Sequence, residues 1–394
     1  MRLPYIILTI VLLFNIFIDI YVYLALHTYL RRRIWSRIQA WSAVVFQLMF
    51  VAVLVMPVRS GGNTMITWTM WMIFIYISIY LSKILFVIFD ILSRLPMLFK
   101  RSRWKWMTGV GTAIALLAFV NLWWGALVTR LSLDTQRVTV TDTTLPKDLD
   151  GFTIAQISDM HLGTYNGDTA FVSRMVDRVN SLHPDIIVFT GDIVNRNSDE
   201  ADAFVKPLSR LKARYGVYSI LGNHDYGDYE DWADDKARDA NLEKLCTLER
   251  RMGWNLLRDR SQFITVKSDT LVLIGVENIS RPPFQTYGSL ERAYPTLSDS
   301  RYKVLLSHDP THWNESICNN DTTHVALTLS GHTHAMQARI FGVSPAAWSH
   351  ERWGGLYDDD KGHKLYVNIG LGTVGYPARI GATPEITLIT LRRK

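Results

Sequence analysis

Phe152-Thr-Ile-Ala-Gln-Ile-Ser158 is an apolar, strand-like run, and the residues that follow it, Asp159-Met160-His161, end it in a carboxylate and an imidazole. The pattern recurs down the chain. Ile186 to Phe189 reads as a buried strand before Gly191-Asp192, and Val217 to Leu221 as a strand before Gly222-Asn223-His224-Asp225. Lys303 to Ser307 leads to His308, and Val325 to Leu329 leads to Gly331-His332-Thr333-His334. Further strand-like runs lie at 271–276, 364–369 and 385–391. Residues 169–182 carry Phe171, Val172, Met175, Val176, Val179 and Leu182 at helical spacing, and His183-Pro184 ends that helix. Residues 199–214 are expected to be helical with a kink at Pro207, and 228–252 to form a charged, solvated helical insertion. Strands alternating with helices over 151–394 predict one α/β domain with two packed mixed sheets flanked by helices. Ligands collect beyond the carboxyl ends of strands in such sheets. Singly, each motif has an ordinary explanation, since Gly-Asp is a common turn and a lone His is usually a satisfied polar residue. Asp, Asn and His at five successive strand exits are not ordinary.

The residue types point to metal chemistry. Neutral imidazoles with carboxylate or amide oxygens and no thiolate suit Mn, Fe, Zn or Mg, and the imidazoles favour the first three. One carboxylate can bridge two cations about 3.5–4 Å apart, and hydroxide held between them is nucleophilic at neutral pH. Gly191, Gly222 and Gly331 are expected to let the chain turn sharply as each strand delivers its side chain. Cys246 and Cys318 form no CxxC, which excludes a thiolate cluster or disulfide scaffold and leaves a single bridge open.

Upstream the composition changes. Of the 394 residues 48% are apolar, and the net charge of +6 divides unevenly. Residues 1–130 hold 13 Lys or Arg against Asp19 and Asp90, or +11, and the remainder is at −5. An acidic soluble part argues against nucleic-acid binding. Four stretches, about 4–28, 40–57, 65–90 and 108–128, are long and apolar enough to cross a bilayer. The first lacks a small-residue cleavage site, so it is expected to stay as an anchor. Residues 1–130 are therefore assigned to a four-span region, 131–150 to a linker with a leading strand, and 151–394 to the α/β domain. Two connectors carry Arg31, Arg32, Arg33 and Arg37, and Arg94, Lys100, Arg101, Arg103 and Lys105, whereas the tail and middle loop offer Arg2 and Arg59. Positive loops stay cytoplasmic. The α/β domain is thus expected outside the cytoplasmic membrane. Trp35, Trp41, Trp68, Trp71, Trp104, Trp106, Trp123 and Trp124 gather near span ends, as interfacial belts do. Among polar residues within spans, Asn15 and Asp19 are expected to share an interior helix face and Lys83 and Asp90 to snorkel toward the cytoplasmic end, while Gln47 is a further candidate.

The ordered motif set resembles the calcineurin-like metallophosphoesterases, in particular their bacterial membrane-associated branch. The likeness covers about 138–394 and extends to Leu145-Pro146 before Gly151-Phe152, to Tyr215-Gly216-Val217-Tyr218, and to Gly370-Leu371-Gly372-Thr373 with Pro384-Glu385-Ile386-Thr387. It implies a metal-dependent phosphoric ester hydrolase with two divalent metal ions. By that resemblance Asp159, His161 and His334 would hold one metal, Asn223, His308 and His332 the other, and Asp192 would bridge. His224 would face the phosphate as acid or transition-state stabiliser, with Asp225 orienting its ring. Where close relatives continue with Gly-Gly-Gln, this chain has Ala335-Met336-Gln337, so the floor beside the site is expected to be more apolar. Asn195 stands where others often have Asp, which implies a supporting role at most, and Arg379 is a candidate phosphate contact.

Substrate is left open. The membrane spans favour a phosphoester or diphosphate on a lipid, met by a flap at 342–363 through Trp348, Trp353, Leu356 and Tyr357, with His350 and Arg352 beside them. The same segment also reads as an ordinary surface loop. The other readings are a soluble extracytoplasmic phosphoester, a catalytically silent receptor or sensor, and a transporter regulated by the domain. Seven candidate ligands together with His224 argue against silence, and four spans with few intramembrane charges argue against transport.

Overall fold

The computed structural model describes residues 2–30, 32–57, 62–294, 296 and 298–394, without the side chains of 2–7. Arg31, Arg59 and the side chain of Arg2, all used above for orientation, lie outside the described residues. The chain divides into two compact units, one mostly Met1–Val58 with Met65–Leu127, the other mostly Val128–Gly375 with Arg379–Lys394.

The first unit holds helices α1 (Arg2–Leu30), α2 (Arg33–Val55), α3 (Asn63–Leu92) and α4 (Lys105–Leu127). All four are long and apolar enough to cross a membrane. Helices α2 and α4 begin inside the charged connectors, at Arg33 and Lys105, ahead of the apolar stretches. Asn15 and Asp19 are both buried. Lys83 and Asp90 do not snorkel. Lys83 Nζ lies 2.7 Å from an Asp19 oxygen, and Asp19 also accepts from Tyr80 (2.6 Å), Gln47 (3.0 Å) and Gln39 (3.1 Å). Asp90 is wholly buried, with Tyr21 at 2.7 Å, Arg103 at 2.9 Å and Arg94 at 3.1 Å. A charge away from water needs a partner, and both acids find theirs across helices.

The second unit is a sandwich of two six-stranded sheets. The strands are β1 (Asp134–Asp142), β2 (Thr153–Ile157), β3 (Ile186–Phe189), β4 (Val217–Ser219), β5 (Asn255–Leu256), β6 (Arg260–Val266), β7 (Asp269–Gly275), β8 (Tyr302–Leu306), β9 (Val325–Ser330), β10 (Gly355–Asp358), β11 (Lys364–Val367) and β12 (Glu385–Arg393). One sheet runs β1-β12-β2-β3-β4-β5, parallel except between β12 and β2. The other runs β10-β11-β9-β8-β7-β6, parallel at its centre and antiparallel at both edges. Alternation along each strand builds the layers. Ile154, Ile186, Val188, Leu273, Val304, Leu306 and Leu329 fill the space between the sheets. Ala155, Ile187 and Phe189 face the other way, under Phe171, Met175, Val176 and Val179 of helix α5 (Ala170–Asn180). Trp313 and Ile317 cover the outer face of the second sheet at Val272, Ile274 and Leu305. With both faces of each sheet covered, the central strands read as unbroken apolar runs.

Two helical expectations change. Residues 198–208 form a 3₁₀ segment, Ser198–Phe204, and one α turn, Val205–Leu208, because Pro207 offers no N–H to continue the ladder. The charged insertion is a helix only over Asp235–Arg251, capped by Asp234, whose carboxylate accepts from Ala237 N. It is not solvated throughout, since Leu245, Cys246, Leu248 and Glu249 are buried. Cys246 and Cys318 are both free thiols.

Candidate metal centre

The parallel strands β2, β3, β4, β8 and β9 all point their carboxyl ends to one place, and the five polar motifs meet there. Ligand atoms of Asp159, His161, Asp192 and His334 lie within 4.8 Å of one another, as do those of Asp192, His308 and His332. Asp192 belongs to both groups. Its Oδ1 accepts the His224 backbone N–H at 2.8 Å, leaving Oδ2 3.2 Å from His308 Nε2 and 3.7 Å from His161 Nε2. His334 Nε2 sits 3.0 Å from His161 Nε2 and 3.2 Å from Asp159 Oδ1. Asn223 Oδ1 joins the second group, 2.9 Å from His332 Nδ1 and 3.2 Å from His308 Nε2.

Most of these side chains are buried, and only His224 and His332 keep partial exposure. Burial pushes the His161 imidazole well below its ordinary value, and the neighbouring His224 and His334 add to that, so it is neutral with a lone pair to give. Burial likewise takes His332 down to about 4. At Asp192 burial would raise the carboxyl, but His308 and His224 outweigh it and hold it ionised. Two carboxylates, an amide oxygen and four imidazoles converging out of water, with no thiolate, fit divalent cations of the Mn, Fe or Zn type.

The backbone bends hard to achieve this. Asp159, His161, Asp192, His332 and His334 have φ between 45° and 73°, the left-handed region that costs a non-glycine residue about 1 kcal/mol or more. The glycines contribute differently from the sequence expectation. Gly191 does turn with φ 93°, but Gly222 and Gly331 have ordinary φ and are needed for clearance. A Cβ would stand 2.2 Å from Asp192 Oδ1 in the first case and 2.3 Å from Asp159 Oδ2 in the second.

Supporting groups fix the rings. His308 Nδ1 lies 2.7 Å from the Thr190 carbonyl and His224 Nδ1 2.7 Å from the Asn195 carbonyl. A carbonyl only accepts, so each Nδ1 donates and each Nε2 is left facing the site. His332 presents Nδ1 to Asn223 while its Nε2 faces Asp309 at 3.7 Å.

Residues 152–336 match the family model described as calcineurin-like phosphoesterase, and 1–130 match that of a probable calcineurin-like phosphoesterase transmembrane domain. An uncharacterized metallophosphoesterase of Bacillus subtilis, YkuE, is 30% identical over 302 residues, covering 74% of this chain and 97% of that protein. The chain is a calcineurin-like metallophosphoesterase. A Danio rerio transmembrane protein with metallophosphoesterase domain is 29% identical over 63% of this chain, which spans about half, 55%, of that relative. Among solved structures, a phosphopantetheinyl hydrolase of Mycobacterium tuberculosis aligns with 58% of this chain and 91% of its own, at 15% identity and a TM-score of 0.32.

In this metallophosphoesterase the seven candidate ligands, His224 and Asp225 lie at one end of the sandwich, but Asp225 does not orient His224. Its carboxylate accepts the backbone N–H groups of Gly222 (2.8 Å), Asp192 (2.8 Å), Ile193 (2.9 Å) and Val194 (3.2 Å). It ties the Asp192 turn to the Gly222 turn. Arg379 is no phosphate contact either, since it is fully buried and donates to the carbonyls of Gly372, Ile369 and Ala382. Ala335, Met336 and Gln337 all have φ between 46° and 55°, so the chain keeps a backbone suited to glycine with side chains attached. The 342–363 segment turns Trp353 inward against Ile369 and packs Tyr357 beside the second sheet's outer core, while Trp348 stays 91% exposed. Ile340, Phe341 and Val343, just upstream, are exposed with it.

Tyr229 was not legible in the sequence. Its ring stacks on His224 at 4.1 Å, and its hydroxyl accepts from Asn223 Nδ2 at 2.8 Å, which turns the amide oxygen toward His308 and His332. Asp309 also faces His332, and its position directly after the strand-exit His308 is a usable sequence signal.

Proposed function

We propose that this is a membrane-anchored phosphohydrolase with a dinuclear metal centre, its catalytic domain outside the cytoplasmic membrane, cleaving a phosphoester or diphosphate carried on a lipid. The observation that carries the dinuclear reading is Asp192 Oδ2, which lies between His161 and His308 and so belongs to both ligand groups. Asp159, His161 and His334 would hold one cation and Asn223, His308 and His332 the other. Two such cations, when bound, neutralise phosphoryl charge and supply hydroxide at neutral pH.

The chain's own residues do the rest. His224, clamped between the His161 edge and the Tyr229 face, has its Nδ1 proton committed to Asn195, so Nε2 takes or gives the proton at the leaving oxygen. Exposed Ile340, Phe341, Val343 and Trp348 support a lipid-borne substrate, because apolar side chains grouped in one segment mark an interaction surface. His350 on the same segment lies 5.6 Å from His332, beside the centre.

A soluble phosphoester is the second reading. It is favoured by a cavity of about 550 Å³ beside Asn223, lined by Tyr229, Arg238, Phe284 and Tyr287 and sized for a planar leaving group. The deciding measurement is metal content of the purified full-length protein together with hydrolysis of bis-p-nitrophenyl phosphate. Two divalent ions per chain and turnover abolished by chelator are expected. One ion per chain with full activity would remove the dinuclear reading.

A further inference from the structure

Within the four-helix unit lies a cavity of about 930 Å³ between α1, α3 and α4, within the ~300–1,000 Å³ typical of small-molecule sites. Its lining is of two kinds. Val22, Leu26, Phe86, Leu116 and Phe119 make the apolar part, and Lys83, Arg103 and Lys105 are the charged residues that line it. All three are cations. The hydroxyls of Thr28, Ser82 and Thr112, also in the lining, each bond a carbonyl of their own helix, so they need no ligand.

The two acids nearby do not cancel this charge. Asp19 is matched by Lys83, and Asp90 receives both Arg94 and Arg103. Arg103 keeps a buried Nε without an acceptor, and Lys105 has no ion pair among the described residues. Trp104 and Trp106, exposed with ring centroids 6.4 Å apart, flank Lys105, and tryptophans gather at headgroup depth.

We propose that the cavity binds one anionic glycerophospholipid of the surrounding leaflet, its phosphate on Arg103 and Lys105 and an acyl chain along Leu26, Phe86 and Phe119. Apolar walls in a bilayer accept any acyl chain, so selectivity must come from the cations. The site is separate from the metal centre and stands whether or not the catalytic substrate is a lipid.

The test is titration of the detergent-solubilised full-length protein with phosphatidylglycerol and with phosphatidylcholine of the same chains, with bound lipid read by native mass spectrometry. One phosphatidylglycerol per chain is expected at concentrations where phosphatidylcholine is not retained. Lys105→Gln removes one free cation at the rim and should weaken retention about fivefold. Gly109 lines the cavity, and a Cβ there meets nothing within 4 Å, so Gly109→Leu starts its side chain in open space. That variant should weaken retention about tenfold while the unfolding midpoint holds. Equal retention of the two lipids, displacement by inorganic phosphate alone, or full retention in both variants would overturn the proposal.

Discussion

Asp192 and Tyr229 show how single side chains carry different parts of this centre. Asp192→Asn removes the one group shared by both ligand sets, so loss of both ions by metal analysis is expected, together with more activity than any other single ligand change removes. Tyr229→Phe keeps the ring on His224 but frees the Asn223 amide to flip. It should lower metal affinity about tenfold at the Asn223 position and leave the Asp159 position filled, which competition with a chelator can resolve. His224→Ala should retain both ions and lose about 10² to 10⁴ in turnover, whereas loss of an ion would make it a ligand. The first and third of these changes can be written down from the sequence, because Asp and His after a strand advertise their chemistry. Tyr229 cannot, since nothing in a Tyr between Asp228 and Glu230 says which amide its hydroxyl meets. Asp225 misleads for the same reason. An acid beside a histidine suggests a dyad, while its partners are backbone N–H groups from two turns that only the fold brings together.

At the scale of elements, periodicity located α5, the central strands and the four long helices because each buries an apolar face or lies in hydrocarbon. It failed where polar residues are buried. The helix Asp235–Arg251 looks solvated, yet Glu249 is wholly buried against Ser219 of β4 and burial pushes its carboxyl up to about 8. The consequence is a pH-dependent stability. In the unfolded chain Glu249 ionises near 4.5, in the folded chain near 8, so the folded state binds more protons between those values and stability falls as pH rises across that window. Glu249→Gln should remove this contribution to the slope. Its unfolding midpoint should exceed that of the parent at pH 8, with a gain of order a few kcal/mol, and the gap should close toward pH 4.5. A constant gap across that range would mean the carboxyl is not held neutral by burial. The edge strands β6 and β10 carry a weak sequence signal because only one face of each is covered, which shortens the apolar run.

For the whole molecule, the charge asymmetry of the connectors makes a clear prediction. A reporter fused after Lys394 that works only outside the cytoplasm should be active, and a cytoplasmic reporter there should be silent. Reconstitution tests the lipid reading. Full-length protein in bilayers should exceed its rate in detergent by orders of magnitude on a lipid phosphate and match it on a soluble ester, and Phe341→Ser with Trp348→Ser should erase the difference. Equal rates in both settings leave the soluble ester as the substrate class. One feature of the first sheet also governs how the enzyme comes into being. Glu385–Arg393 lies between Asp134–Asp142 and Thr153–Ile157, so the earliest strand of the domain has no neighbour until one of the latest has been synthesised. Helices α1 to α4 can settle while translation continues, but the sandwich cannot close, because long-range pairing waits for its distant partner. During that interval the ligand-bearing strand ends and an open sheet edge stand exposed together. A chain ended before residue 385 therefore leaves Asp134–Asp142 without its partner strand and is expected to be inactive.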